Sequence, residues 1–542
     1  MLIATLFAAG LLAPSVPLQD PELLWKAVDP ASPEQGVLAR SFALSDDALL
    51  LGGPNANNGP GFATLFELDA TGRATKVQEV TWSFGQFNDY FGWGTALGAD
   101  HAAVGARSAD PGGVTNAGAV QVYDRGLTPG GTVELTNREV LVSPLPVQAG
   151  NFGECAAIDG ALLAVGEPGG RGAAPGSGAV HLFDLSTTPA TSAGLLFAPG
   201  GATGDELGLA MALSGNLLLA TAAGETVGTT PRAGAVHVFR PNAQGVWKHE
   251  QRLVSPAPES DASFGFGFAI DGGRVYVGAP YEDNGGVDLG AVHVYERQGG
   301  AYTLVETVSP DQPNTQFLFG SSIAIDGDRM FVGASGSSAA AGRSGEIQVF
   351  DRVAGAWQYA FSFSAPDLGV GDRFGLEIAL ANGRLVTSAK GGDEPHFNSG
   401  NAYVYAIDGA APEPFVPLYR FVEAGTVRTH HLLVRPGTSA AGDSYFVFGS
   451  ANPTPSLVSG LQLPFTLDSY SDLTLLAANK GPFQDTFGLL DANGEARATI
   501  GFAPSVTAPL AGVTLYHAAV VIDATTLLPT HVLGPRTLEF VP

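Results

Sequence analysis

Residues 264–295 read FGFGFAIDGGRVYVGAPYEDNGGVDLGAVHVY. Three fragments stand out: Phe264-Gly265, then Val277-Gly278-Ala279-Pro280, then Gly290-Ala291-Val292-His293-Val294-Tyr295. They recur in fixed order along the chain. Phe-Gly returns at Phe91-Gly92, Phe152-Gly153, Phe319-Gly320 and Phe374-Gly375, with Leu207-Gly208 in the same role. The second fragment returns as Val104-Gly105-Ala106, Val165-Gly166-Glu167-Pro168 and Val332-Gly333-Ala334. The third begins at Gly118, Gly178, Gly234 and Gly290, with variants at Gly345 and Gly400, so copies lie 55–60 residues apart. A degenerate first copy, Leu49–Pro54 followed by Gly61–Phe66, brings the number to seven.

Each copy holds four short alternating runs. In the copy quoted above they are Gly267–Ile270, Arg274–Val277, Ala291–Tyr295 and Tyr302–Val308. One four-stranded sheet cannot bury both of its faces, whereas like sheets stacked in a closed ring can, and the ring also protects their edges. The pattern therefore predicts an all-β chain whose main part is a seven-bladed β-propeller. A closure device is legible as well. Outer-strand segments such as Trp247–Pro256 and Trp357–Pro366 precede the next copy, and Leu23–Pro30 has the same form but stands before the first. It is expected to supply the outer strand of the last blade.

Phe-Gly followed by Gly-Ala-Pro resembles the FG-GAP repeat of the integrin α-chain propeller and its bacterial relatives, over residues 20–410. That resemblance implies a propeller and an extracellular setting, and leaves function open, since propellers host binding and catalysis alike. Integrin-type repeats carry a calcium loop of Asp-x-Asp/Asn-x-Asp-Gly type between the first two strands. Here the same place holds Ile158-Asp159-Gly160-Ala161, Ile270-Asp271-Gly272-Gly273 and Ile325-Asp326-Gly327-Asp328. Asp-Gly between two apolar runs signals a tight hairpin, and so short a turn cannot wrap the roughly 6–8 oxygens that calcium takes. These aspartates are read as turn residues, and no metal or cofactor is expected. His181, His237 and His293 share one repeat slot, which predicts a structural role. His430-His431 stands alone, and no catalytic set is identifiable.

Composition narrows the function classes. The formal net charge is −26, from 52 acidic and 26 basic residues. Such a surface repels phosphate backbones, which excludes nucleic acid as a partner. The 45% hydrophobic content supplies a core. Residues 1–19 hold a short apolar run followed by small residues and read as a signal peptide without a basic start. No later segment offers the ~20 apolar residues of a membrane span. The expected setting is secreted or cell-envelope, periplasmic or extracellular, and the chain is expected to be a monomer. Cys155, the only cysteine, rules out a disulfide framework and is read as a small buried residue.

From about Pro412 the repeat stops. Runs at Arg428–Val434, Ser444–Gly449, Leu473–Ala477, Ala496–Phe502, Val513–Ile522 and Arg536–Phe540 predict a β-sandwich over residues 411–542. Leu490–Ala496 and Leu515–Val521 are similar to a C-terminal β-domain of secreted planctomycete proteins, which points to a secreted bacterial type.

Loops held on a rigid scaffold are where binding is usually placed. In a propeller the loops between second and third strands share a face with the connections between blades, and here these are the long ones. The candidate ligand-binding residues are Phe87, Tyr90, Tyr281, Glu282, Asp283, Asp288, Asp393 and His396. They join exposed aromatics to acids and amides, a mixture suited to a glycan or an extracellular protein; merely solvated loops would carry the same residues. The rival function is a hydrolase or lyase with its site in the central channel, and a third is a purely structural envelope component.

Overall fold

The computed structural model describes residues 22–27, nearly all of 40–407, and the strands within 415–541. The chain divides into two compact units, one spanning Leu24–Tyr405 and one holding Ala406–Pro542. The first contains seven four-stranded antiparallel sheets in sequence order, the seven expected blades. Blade 1 runs Phe42–Leu44, Ala48–Gly53, Phe62–Leu68 and Ala74–Thr81. Blades 2 to 6 begin at Phe91, Ala156, Leu207, Phe268 and Phe319 and each finish within one consecutive stretch of chain. Blade 7 does not. Its strands Phe374–Ala381, Arg384–Ala389 and Asn401–Ala406 take their fourth neighbour from Glu22–Ala27, which lies at the edge beside Asn401–Ala406. The early Leu-Leu-Trp segment thus closes the ring, as its sequence form predicted.

The burial of each strand follows from its place in the blade. Second strands such as Ala48–Gly53 and Arg329–Ala334 are buried along their whole length, because a neighbouring blade covers each face. They therefore read as continuous apolar runs rather than alternating ones. Outer strands such as Ala301–Val308 are mostly exposed, with Tyr302 and Val308 buried against the blade. The apolar clusters lie between blades: Leu219, Val236, Val238 and Leu253 of blade 4 pack with Phe264, Val275, Val277 and Tyr302 of blade 5.

The glycines of the motif are where successive blades meet. A Cβ on Gly105, Gly166, Gly278 or Gly333 would lie 2.1, 2.0, 2.0 or 1.8 Å from the carbonyl oxygen of the Phe/Leu-Gly glycine in the next blade. Those partners, Gly153, Gly208, Gly320 and Gly375, hold φ between 83° and 95°, a region that glycine enters without the Cβ penalty. Gly61, Gly118, Gly178, Gly290 and Gly345 complete the grip through parallel bridges to Phe91, Phe152, Leu207, Phe319 and Phe374. Short side chains add hydrogen bonds: Ser322 Oγ donates to Gly375 O at 2.7 Å, and Cys155 Sγ to Gly208 O at 3.0 Å. Cys155 is only half-buried, and its thiol is pushed up by burial and then by the charge of Glu154. It is a link between blades rather than a fully buried hydrophobe.

The Asp-Gly segments are two-residue hairpins, with Asp159 paired to Leu162, Asp271 to Arg274 and Asp326 to Arg329. Gly160, Gly272 and Gly327 take φ of 58°, 58° and 56°, which is why glycine stands there. Asp159 accepts a hydrogen bond from the backbone N–H of Gly215 in the next blade. Because no oxygen-rich loop exists at these turns, EDTA is expected to leave the melting temperature of the protein unchanged in a thermal scan. A drop reversed by Ca²⁺ would overturn that expectation.

In the second unit the described strands form a two-stranded pair, Ser456–Val458 with Leu461–Leu463, and two larger sheets. One is ordered Phe415–Pro417, Arg428–Val434, Ala496–Phe502, Phe483–Gln484, and the other Phe421–Glu423, Pro529–Val541, Thr514–Ile522, Ser444–Ser450, Phe487–Leu489. All but one of the expected runs appear as strands, and Leu473–Ala477 lies outside the described residues, as do residues 1–19. Among the described residues no helix is long and apolar enough to cross a membrane.

Candidate functional site

The antiparallel order brings four positions of every blade to one face: the end of the second strand, the start of the third, the end of the fourth and the start of the first. Near the axis these positions are filled unevenly. In blade 2 the residues flanking the Phe91–Ala106 pair are Tyr90 and Arg107. In blade 7 the residues flanking the Phe374–Ala389 pair are Arg373 and Lys390. The Arg107 and Lys390 slot holds Pro168 in blade 3 and Pro280 in blade 5, so this part of the ring is charged where the repeat is otherwise neutral.

Trp93, just after Phe91-Gly92, organises the cluster. The guanidinium of Arg107 lies 3.8 Å from the centre of its ring, and that of Arg40 lies 4.3 Å away. Both distances suit a cation–π contact. Glu154 of blade 3 ties the group together. It accepts from Trp93 Nε1 at 2.8 Å through one oxygen and from Arg107 at 2.8 Å through the other. Tyr90 meets Trp93 edge-on at 5.7 Å and lies 5.9 Å from the Arg107 guanidinium. Arg40 reaches Glu377 of blade 7 at 3.6 Å. Burial pushes the Glu377 carboxyl up to about 7 against the opposing pull of Arg40. Burial, followed by the charges of Arg40 and Arg373, pushes the Lys390 ammonium down to about 8. The mouth thus gathers four cations and two carboxylates from blades 1, 2, 3 and 7.

The expected site residues are distributed as follows. Phe87 is 67% exposed on the loop leading into Tyr90, so the pair joins a free ring to the axial cluster. Tyr90 itself is half-buried and holds φ 57°. Tyr281 is 38% exposed, and Asp283 is exposed beside it. Asp283 accepts from the Asp288 N–H at 3.2 Å, while its own N–H donates to Glu259 at 2.7 Å. Asp288 is half-buried with φ 52°, and Asn284 fastens the loop to Gly290 O at 3.2 Å. Asp393 and His396 lie outside the described residues.

Glu282 differs from its neighbours. It is 4% exposed and accepts from His293 Nε2 at 3.0 Å, so it points into the blade rather than toward a ligand. The same strut recurs: His237 bonds Glu225 at 2.7 Å and His181 bonds Glu167 at 2.6 Å. The three histidines are 1–4% exposed, and His181 and His293 pack against Phe152 and Phe264 at 5.1 and 5.7 Å. A buried carboxylate needs a partner, and the repeated histidine supplies it. Their shared slot therefore has the structural role that its recurrence predicted. Among the described residues no group of three or more His, Cys, Asp or Glu could hold a metal ion.

Sequence reasoning missed Arg40, Trp93, Glu154, Glu377 and Lys390. A signal was present, in that Arg107 and Lys390 are charged residues at a position where other copies have small residues or proline. Reading the repeat for what it shares passes over the places where it departs.

Residues 75–123, 247–295, 302–350 and 357–405 match the FG-GAP repeat. Each match starts on the outer strand of one blade and ends on the third strand of the next, so the sequence unit is offset by one strand from the blade. The three remaining blades depart from the pattern: blade 1 has Arg40-Ser41 at its start, blade 3 has Glu167 for alanine, and blade 4 has Leu207 for phenylalanine and Thr221 for glycine. No curated protein matches the chain. The first unit is thus a seven-bladed β-propeller that carries FG-GAP repeats in four places.

Proposed function

We propose that the propeller is a recognition module, extracellular or associated with the cell envelope, which binds a glycan or an extracellular protein through one face. The observation that carries this reading is the pairing of exposed aromatic side chains, Phe87 and Tyr281, with loops fastened to a stiff ring by their own hydrogen bonds. An aromatic face stacks on a sugar ring or an apolar side chain, and Asp283 beside Tyr281 accepts hydrogen bonds from hydroxyl or amine groups. FG-GAP repeats are typical of extracellular proteins, which fits this setting. The second unit is a companion domain in this reading, with its two larger sheets packed as a β-sandwich. Attachment and sorting are the roles open to it.

The test is a glycan and secreted-protein screen on the purified chain, followed by the double variant Tyr281→Ala/Asp283→Ala. Both side chains are exposed, so the fold should persist. Loss of an aromatic stacking contact and an acceptor is expected to weaken binding by about tenfold or more. Unchanged binding by a folded double variant would place the site away from this loop.

A second reading, a hydrolase or lyase with its site in the channel, draws on Glu377 and Lys390. A carboxyl near 7 and an amine near 8 have shifted toward the pH where acid–base groups work. Turnover of a screened glycan that is lost in Glu377→Gln would favour it.

A further inference from the structure

We propose that the axial mouth between blades 7, 1 and 2 is a binding site for an oxyanion of the size of a carboxylate or sulfate, held by Arg40, Arg107, Arg373 and Lys390. The proposal deepens the recognition reading, because the mouth and the loops lie on the same face, and it names the chemistry of one group on the ligand. The first support is local charge. The protein as a whole carries −26, yet this spot sets four cations against Glu154 and Glu377. Glu154 is already committed, with one oxygen on Trp93 and the other on Arg107.

The second support is unmet hydrogen-bonding capacity. Among the described residues the side chains of Arg373 and Lys390 make no hydrogen bond or ion pair, although both are half-buried. The Nε atoms of Arg40 and Arg107 are buried and have no partner. Ammonium and guanidinium groups are donors only, so the half-buried heads of Arg373 and Lys390 are open to an acceptor from solvent or from a ligand. Neutral sugar hydroxyls accept weakly, whereas a charged oxygen makes bonds roughly twice as strong.

The third support is rigidity. Arg40 and Arg107 are fixed by the Trp93 ring, and Arg373 and Lys390 spring from adjacent ends of one antiparallel ladder. Like charges held together by the backbone cost energy until a counter-charge arrives. Burial comes first among the causes of the depressed Lys390 ammonium, and the charges of Arg40, Arg373 and Arg107 add to it, with Glu377 opposing them among the described residues. A site of this kind is organised before its ligand binds, so little ordering cost opposes binding.

Isothermal titration of the full-length protein with sodium sulfate, with trigalacturonate and with a neutral galactose trisaccharide tests the proposal. Sulfate should bind, and Arg373→Gln/Lys390→Gln should weaken it at least tenfold. Affinity should fall as the pH rises from about 8 to 9.5, where Glu377 is already largely ionised and Lys390 loses its proton. Lys390→Arg keeps the charge, folds with the same side-chain reach, and should remove the fall. Trigalacturonate binding with the same dependence identifies a ligand-borne carboxylate, and sulfate binding alone identifies a free oxyanion. Neither anion binding, or equal binding by the folded double Gln variant, overturns the proposal. The Tyr281→Ala/Asp283→Ala variant should still bind sulfate, so failure of the loop reading and failure of the anion site are separable.

Discussion

Gly333→Val should destabilise the propeller by about 3 kcal/mol or more, at the upper end of what overpacking costs. A Cβ there would stand 1.8 Å from the carbonyl oxygen of Gly375, and 2.5 Å from Ser322 Oγ, in a place where both neighbours are backbone or buried. Neither blade can yield alone, since Gly375 is itself gripped by Ile347 and the carbonyl of Glu346. Blade 4 carries Thr221 in the equivalent slot and meets the problem differently, with Thr221 Oγ1 donating to Gly265 O. The hydroxyl replaces the close backbone approach with a hydrogen bond, which valine cannot make. Chemical denaturation of Gly333→Val against Gly299→Ala makes the comparison. Gly299 has open space around its Cβ position and φ 60°, so only the left-handed backbone is penalised, by about 1 kcal/mol. Equal stabilities for the two variants would show that the blades are not in register at this contact.

Removal of residues through Pro30 should lower the melting temperature by about 5 °C or more, given about 2–4 °C per kcal/mol in domains of moderate size. The strand Glu22–Ala27 covers the edge of Asn401–Ala406. Without it, blade 7 would be left with three strands and a row of unpaired N–H and C=O groups, a template for association with another chain. The truncated protein is therefore expected to form oligomers, visible by light scattering, as well as to melt early. Unchanged melting and a monomeric profile would mean that Glu22–Ala27 contributes nothing to closure.

How much of this was readable beforehand differs between fold and site. Blade number, strand order and ring closure were legible because they depend on what the copies share. Val275-Tyr276-Val277 is apolar throughout since it is sandwiched, and Gly278 recurs since a backbone oxygen of the next blade passes over it. The inward turn of Glu282 was not legible. Its sequence neighbours Tyr281 and Asp283 are exposed, and only the register of Val277 opposite His293 brings the imidazole within reach of its carboxylate. The axial cluster was hidden for a similar reason. Arg40, Trp93, Arg107, Glu154 and Glu377 come from four different copies, and their meeting requires the ring to be built.

The one-strand offset between the repeat and the blade has a consequence for how the protein assembles. Each repeat brings the outer strand of the preceding blade together with the inner strands of its own, so successive blades can form as the chain emerges, by contacts that are local in sequence. The last contact is different in kind. Glu22–Ala27 is made first and used last, waiting until Asn401–Ala406 exists. The entropic penalty for joining such distant segments rises only logarithmically with their separation in a flexible chain, and a nearly finished arc of blades shortens the distance further. Assembly should therefore run through an open arc with two sticky ends, whose lifetime, rather than the stability of any blade, sets how much protein is lost to mispairing with neighbours.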